Sequence, residues 1–280
     1  MIAVTGCNGL VGGYIYNFLR QQMVNETVLG LSTTSKMNFI KLVDGTPNID
    51  TQDIKTIIHC GGTVGNSFSK EEHEYANIQC TNNLLKWAEK KHVKHFIYFS
   101  TGGVYGQNKN WVDENQTLNP ENFYSESKII AEKLILESYI EKKTIIRLYF
   151  PIGNTKNNLF YKLKEKVLNS EVIELNINGQ PFISPISCRD IANVVYKIIN
   201  REIEGVYNLS SNQKINIKEI VLHIATSLNL EPILNYNKCN LDNYLGNTNK
   251  ILKILDVEKF TDLQKDIYDF SRDYNRGILK

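Results

Sequence analysis

Ile2-Ala3-Val4-Thr5-Gly6-Cys7-Asn8-Gly9-Leu10-Val11-Gly12-Gly13-Tyr14-Ile15-Tyr16-Asn17-Phe18-Leu19-Arg20 is the stretch that decides the fold. A short apolar run meets glycines at positions 6, 9 and 12, and apolar residues then recur at helical spacing. Strand, glycine turn and helix in that order are the context a dinucleotide fingerprint requires. Gly6 permits a tight turn, Gly9 lets backbone approach a pyrophosphate, and Gly12 allows the helix to pack closely on the strand. The helix N-terminus then faces the phosphates with its free N–H groups.

Working outward, strands and helices alternate through the first half. The pattern predicts strands at Thr27–Leu31, Thr56–Cys60, His95–Ser100 and Thr144–Leu148. It predicts helices at Asn77–Lys91 and from Phe123 to about Lys142. Little room for a helix exists between Asp44 and Thr56. The alternation implies an α/β fold, a doubly wound parallel (Rossmann) sheet. After Pro151 the pattern is mixed, with helices expected at Asn157–Asn169, Arg189–Asn200 and Ile217–Leu228, and strands at Glu171–Asn178 and Gly205–Leu209. We therefore expect a dinucleotide-binding domain over 1–150, rejoined by about 184–204. A smaller mixed α/β substrate-binding lobe would use 151–183 and 205–280.

Tyr124-Ser125-Glu126-Ser127-Lys128 carries the chemistry. Residues four apart share one helix face, so the ammonium of Lys128 can stand beside the phenol of Tyr124. A neighbouring cation favours the phenolate, so the spacing predicts a lowered tyrosine pKa and a usable proton donor and acceptor.

Bulk properties narrow the field. The chain has 280 residues, enough for a full core, and 32 basic against 30 acidic residues give it a net charge of +2. That balance offers nothing to recruit nucleic acid. No apolar run reaches the ~20 residues of a membrane helix, and the first strand follows Met1 directly, leaving no room for a signal peptide. Cys7, Cys60, Cys80, Cys188 and Cys239 are odd in number and lack C-x-x-C spacing, which supports neither zinc nor a disulfide framework. A reduced, cytoplasmic protein is expected, with no metal.

With these residues in hand, the chain resembles the extended short-chain dehydrogenase/reductase family, which modifies nucleotide-activated sugars. Thr5 to Gly12 looks like its TGxxGxxG loop, and His59-Cys60-Gly61-Gly62 is similar to its HLAA segment beside the cofactor. Asn77 with Thr81-Asn82-Asn83-Leu84-Leu85 resembles the N-x-x-G-T-x-N-L-L helix. Ser100-Thr101-Gly102-Gly103-Val104-Tyr105-Gly106 looks like the S-[ST]-x-x-V-Y-G strand end, and Tyr124 with Lys128 takes the YxxxK places. Arg147 to Gly153, Ser187 to Asp190 and Tyr207 to Leu209 echo later landmarks in order.

The resemblance implies roles. Tyr124 is the general acid/base at the substrate oxygen, Lys128 lowers its pKa and holds the nicotinamide ribose, and Thr101 hydrogen-bonds the same oxygen. Gly6, Asn8, Gly9, Leu10, Gly12, Cys60, Gly61, Gly62, Ser100 and Pro151 fall on the cofactor side. Gly102, Phe150 and Arg189 fall with Thr101 on the substrate side. His59 reads as a satisfied residue under the cofactor loop. Phe150 stands where the family often has an asparagine, so the amide contact of that residue is lost. The resemblance also implies a homodimer built on the helices of Asn77–Lys91 and Phe123–Lys142.

The second strand ends Gly30-Leu31-Ser32-Thr33-Thr34-Ser35-Lys36, without the carboxylate that binds the adenine ribose hydroxyls of NAD. Ser32, Thr33 and Lys36 suit a 2′-phosphate, so NADP(H) is expected over NAD(H). Gly102 and Gly103 stand where the family's dehydratases carry acids, which argues against elimination of water. The first expectation is an NADPH-dependent reductase of a keto nucleotide sugar. A nucleotide-sugar 4-epimerase retaining NAD(P) is the alternative, and a non-catalytic NADP-sensing protein the third.

Overall fold

The computed structural model describes residues 1–34, 39–50, 53–239 and 241–273. Lys36, expected at a 2′-phosphate, lies outside the described residues. Two compact units divide the chain. The first comprises Met1–Val104, Leu118–Arg147 and Ile191–Tyr207, and the second Tyr105–Thr117, Leu148–Asp190 and the chain from Asn208 onward.

In chain order the elements begin with β1 (Ile2–Thr5), α1 (Leu10–Gln22), β2 (Val28–Ser32), β3 (Phe39–Val43), β4 (Thr46–Pro47) and β5 (Thr56–His59). A short helix α2 (Lys70–His73) runs through a π-turn (Glu74–Gln79) into α3 (Cys80–Lys90). Then follow β6 (His95–Thr101), a 3-10 turn (Gly102–Tyr105), α4 (Phe123–Glu137) and β7 (Lys142–Leu148).

These strands join one sheet with β12 (Gly205–Leu209), in the order β12-β7-β6-β5-β1-β2-β3-β4. The pairings of β1 with β2 and β5, of β2 with β3, and of β5 with β6 are parallel. β1 has β2 on one flank and β5 on the other, so strand order reverses there. In open α/β sheets the crevice at such a switch point, outside the carboxyl ends of the strands, is where ligands bind. The carboxyl ends concerned are Thr5-Gly6 on β1 and His59-Cys60 on β5.

The strands are apolar along their length because both sheet faces are covered. Ala3, Leu31, Ile57, Phe96 and Tyr98 pack with Leu84, Leu85 and Trp87 of α3 and with Ala131 and Ile135 of α4. Each such side chain contributes roughly 2 kcal/mol by leaving water.

Helix α4 is shorter than the sequence pattern suggests. Ser138 takes an extended conformation (φ −68°, ψ 158°) and ends it at Glu137, so Lys142 and Lys143 open β7 instead of closing the helix. Helix α3 likewise begins at Cys80, because an extra residue in the π-turn interrupts the α-helical ladder around Asn77. Between Asp44 and Thr56, where the sequence leaves little room for a helix, the described residues hold the two-residue strand β4, which runs antiparallel to β3.

The second unit has its own core. Its elements are β8 (Pro151–Ile152), α5 (Leu159–Leu168), β9 (Val172–Asn176), β10 (Phe182–Ile183), β11 (Ile186–Ser187), the start of α6 (Cys188–Arg201), β13 (Ile215–Asn216), α7 (Ile217–Leu228), β14 (Ile233–Asn237), α8 (Asn249–Leu255) and α9 (Leu263–Arg272). Phe160 and Leu163 of α5, Ile220 and Ile224 of α7, and Ile267 and Phe270 of α9 form its centre. Among the described residues no helix is long and apolar enough to cross a membrane, and no cluster of acids, cysteines and histidines is suited to a metal. The five cysteines are unpaired.

Candidate active site

The glycine loop closes on itself by backbone geometry. Gly6 has φ +69°, and a β-carbon there would lie 2.8 Å from the Cys60 carbonyl carbon. Gly9 donates its N–H to Gly6 O at 2.8 Å and caps α1. A β-carbon on Gly12 would meet Gly6 O at 2.5 Å. The helix start can therefore approach the strand end this closely only with glycine at 12. Leu10 opens the helix behind the loop.

A polar network fixes the neighbouring β5 end. The Thr5 hydroxyl accepts the N–H groups of Cys60 (3.1 Å) and Gly61 (3.0 Å) and donates to His59 Nδ1 (2.7 Å). His59 Nε2–H then donates to Thr81 Oγ1 at 3.0 Å. Burial holds the His59 pKa down to about 3, so the ring is neutral and engaged at both nitrogens. Next along the chain, Asn77 Oδ1 accepts the N–H of Thr63 at 3.0 Å, and its amide donates to Ser127 Oγ at 2.9 Å. Asn77 thus ties the 61–63 loop to α4.

The three reactive candidates meet across β6 and α4. Asn122 caps α4 by accepting the Ser125 N–H, which sets Tyr124 in the first turn. The Thr101 hydroxyl is close enough to the Tyr124 phenol to favour its ionised form, and Gly103 donates its N–H to Thr101 Oγ1 at 3.1 Å. Gly102 begins the 3-10 turn that carries this backbone away from the strand.

Lys128 is buried, with its ammonium 4.5 Å from the centre of the Tyr98 ring. The expected lowering of the Tyr124 pKa is not what the protein alone displays. Burial pushes the phenol up to about 12, with the nearby Thr101 hydroxyl acting the other way. The reason is geometric: the lysine charge rests on Tyr98 and is itself weakened by burial, to a pKa of about 8. Ser100, grouped with the cofactor side from sequence, commits its hydroxyl to Glu132 Oε1 at 2.5 Å.

At the end of β2, Asn8 donates its amide to Ser32 Oγ (2.6 Å) and Thr34 Oγ1 (2.7 Å). The glycine loop and the β2 hydroxyls therefore form one polar edge, with Thr33 exposed beside it. In the second unit, Phe150 adopts φ +34° with its ring edge-on to Tyr244, and Pro151 starts β8, its carbonyl accepting from Asn158 at 2.7 Å. Arg189 is exposed in the first turn of α6. The adjacent Asp190 is buried and bonded to Ser187 and Thr261.

Residues 2–210 match the NAD dependent epimerase/dehydratase family. The chain belongs to this family. Among its relatives, an N-acetyl-alpha-D-glucosaminyl-diphospho-ditrans,octacis-undecaprenol 4-epimerase of Escherichia coli O157:H7 is 29% identical over 55% of this chain, a match that spans 48% of that protein. The chain thus covers about half the length of that relative. A dTDP-4-dehydro-6-deoxyglucose reductase of Escherichia coli is 25% identical over 75% of this chain and 69% of its own length.

Among solved structures, MoeE5 in complex with UDP-glucose and NAD superposes with a TM-score of 0.85 at 18% identity, covering 96% of this chain and 97% of that one. The UDP-glucuronic acid 4-epimerase from Bacillus cereus, in complex with UDP-glucuronic acid and NAD, gives 0.83 at 19% identity, covering 96% and 98%. These likenesses show the fold, an α/β Rossmann-like parallel sheet followed by smaller strands.

Within this epimerase/dehydratase fold, one group at the site has no place in the motif reading. Glu132 is buried, accepts from Ser100, and receives Arg147 Nη2 at 2.7 Å and Nε at 3.1 Å. The signal was available: Glu132 stands one helical turn past Lys128, as Lys128 stands one turn past Tyr124. Tyr98, the platform under Lys128, carried none, since it reads as an ordinary strand aromatic.

Proposed function

We propose that the protein is a nicotinamide-dependent oxidoreductase of nucleotide-activated sugars, acting first as a reductase of a keto sugar with NADPH. The observation that carries this reading is that Thr101 at the end of β6, Tyr124 and the buried Lys128 on one face of α4, and the glycine loop belong to one unit, with the Thr101 hydroxyl acting on the Tyr124 phenol. The residues present fit a dinucleotide: a helix N-terminus behind a glycine turn that leaves no room for side chains, and hydroxyls at the end of β2. When bound, the nicotinamide supplies the hydride that reaches the carbonyl carbon.

Tyr124 gives its proton to the oxygen of the same carbonyl, which becomes a hydroxyl group of the reduced sugar. A phenol held protonated in the free protein suits that donation. Thr101 orients the oxygen through its own hydroxyl. Lys128 provides the positive charge that stabilises the phenolate left behind, and it takes this role once its ammonium leaves the Tyr98 ring.

A second reading, nucleotide-sugar 4-epimerisation with retained cofactor, is favoured by relatives and fold neighbours that carry epimerase names, and by the NAD bound in the neighbours. The preference for NADP(H) rests on a β2 end of hydroxyls without a carboxylate. One experiment separates these readings. A keto nucleotide sugar is incubated with stoichiometric NADPH or NADH, and a 4-hydroxy nucleotide sugar with trace cofactor and no reductant. Consumption of NADPH with the keto sugar supports the reductase, and turnover without reductant supports the epimerase. Retention of the parent's activity in Tyr124→Phe would remove the catalytic assignment of Tyr124, and a parent that binds cofactor but shows neither activity would leave a cofactor-sensing protein.

We further propose a homodimer formed through the helices at Asn77–Lys91 and on α4. Ile130 and Leu136 are apolar and open to solvent on α4, and Tyr139 just beyond it is almost fully exposed.

A further inference from the structure

We propose that Glu132 is a positioning residue, locked by Arg147 and Ser100, whose carboxylate keeps Lys128 an ammonium and so keeps it fit to serve Tyr124. The inference rests on the reading of Tyr124 and Lys128 given above, and extends it to a residue outside the reacting trio.

Tyr124, Lys128 and Glu132 follow one another at four-residue spacing along α4, so they line one face. Glu132 is only 3% exposed. Its two oxygens receive Ser100 Oγ from β6 and the Arg147 guanidinium from β7, so the carboxylate is held from both strands. A buried ion pair is commonly structural cement, and alone would say no more. Its placement says more. Ser100 adjoins Thr101 in the chain, so the clamp that fixes Glu132 also fixes the strand end that carries Thr101.

The groups that face Lys128 come from every element around it. Tyr124 and Glu132 share its helix, and Tyr98 lies beneath it on β6. His59 and Cys60 stand at the end of β5, and their charge states are felt by Lys128. Arg147 on β7 stands beyond Glu132. Among these, His59 is neutral, Cys60 is a half-buried thiol that desolvation pushes well above its ordinary range, and the Tyr98 hydroxyl has no hydrogen-bond partner among the described residues. Glu132 is therefore the resident anion. Burial pulls Lys128 toward the neutral amine, and Glu132 opposes it.

The test follows the Lys128 side chain in protein carrying 13C-ε-labelled lysine, titrated by NMR without cofactor or substrate, the resonance being assigned with Lys128→Arg. Glu132→Gln lowers the Lys128 midpoint by about one unit, a tenfold weaker hold on its proton. Arg147→Met does not lower it, and the double variant Glu132→Gln/Arg147→Met lies closer to the parent than Glu132→Gln alone. Glu132→Asp, which keeps the charge, preserves the midpoint. In turnover, the alkaline limb of the pH–rate profile moves in the same order.

Equal shifts of one sign in both single variants, or no shift in Glu132→Gln, would reduce the pair to structural cement. Should Glu132→Gln not fold, Glu132→Asp and the double variant still decide. Because the titration needs no substrate, absence of nucleotide-sugar turnover would overturn the proposed function and leave this result standing.

Discussion

Asn77 Oδ1 fills the space beside Gly62 so closely that a β-carbon on Gly62 would lie 2.3 Å from it, on a backbone already at φ +137°. The same oxygen accepts the Thr63 N–H, so it cannot withdraw without breaking the loop's tether. Gly62→Ala is expected to destabilise the protein by about 2 kcal/mol through strained backbone and collision, and to weaken dinucleotide binding. Thermal unfolding and a cofactor titration measure both. The Asn77→Ala background relieves the collision but not the strain, so the two substitutions are non-additive. Strict additivity would contradict the proposed contact.

The Thr101 hydroxyl works against the burial of Tyr124. Thr101→Val is expected to raise the phenol further above about 12 and to cut turnover about a hundredfold. Thr101→Ser retains most activity. Cofactor affinity is unchanged in both, and steady-state kinetics beside a binding titration check the split. A Thr101→Val enzyme with parental turnover would remove Thr101 from the site.

Two buried histidines make stability sensitive to acid. His59 is held down to about 3 and His95 to about 4, the latter with Nε2–H donating to Thr144 Oγ1. Both are neutral when folded and take up a proton when unfolded near 6.5. Folding therefore keeps their contribution above pH 6.5 and loses it as pH falls toward 4, with a slope approaching two protons, roughly 2.7 kcal/mol per pH unit. Urea unfolding between pH 7 and 4.5 reads the slope, and His95→Gln should reduce it by about half. A flat profile would mean the rings are charged in the fold.

Ile130→Glu combined with Leu136→Glu on the outer side of α4 should convert a dimer to a monomer in light scattering behind size exclusion, with cofactor binding retained. A parent protein that elutes as a monomer ends that proposal.

Much of the first unit could be read from the chain because its constraints act on residue type. Gly6 and Gly12 are demanded by backbone approach, and Tyr124 with Lys128 by helical periodicity, so spacing alone displays them. Gly205–Leu209 and Ile217–Leu228 likewise stand where the pattern puts them. What stayed hidden depends on contacts across the sheet. Lys128 resting on Tyr98 reverses the naive expectation for Tyr124, and no local pattern reports which ring an ammonium chooses. The early end of α4 turns on the extended backbone of Ser138, whose hydroxyl bonds Ile135 O, amid residues otherwise compatible with helix. Strand β3 and the two-residue edge strand β4 are short elements, whose pairing outweighs their weak periodicity.

The π-turn at Glu74–Gln79 has a consequence for how this chain tolerates length changes. A wide turn holds one residue more than an ordinary helical turn, and deleting that residue would rephase everything preceding it by about 100°. Asn77 would swing off Ser127, and His73, now 5.5 Å ring to ring from Tyr124 and bonded to Thr63 and Gly65, would lose that stacking. A single deletion in this turn at a position other than Asn77 thus unfastens the 61–63 loop from α4 while leaving Thr101, Tyr124 and Lys128 themselves in the chain.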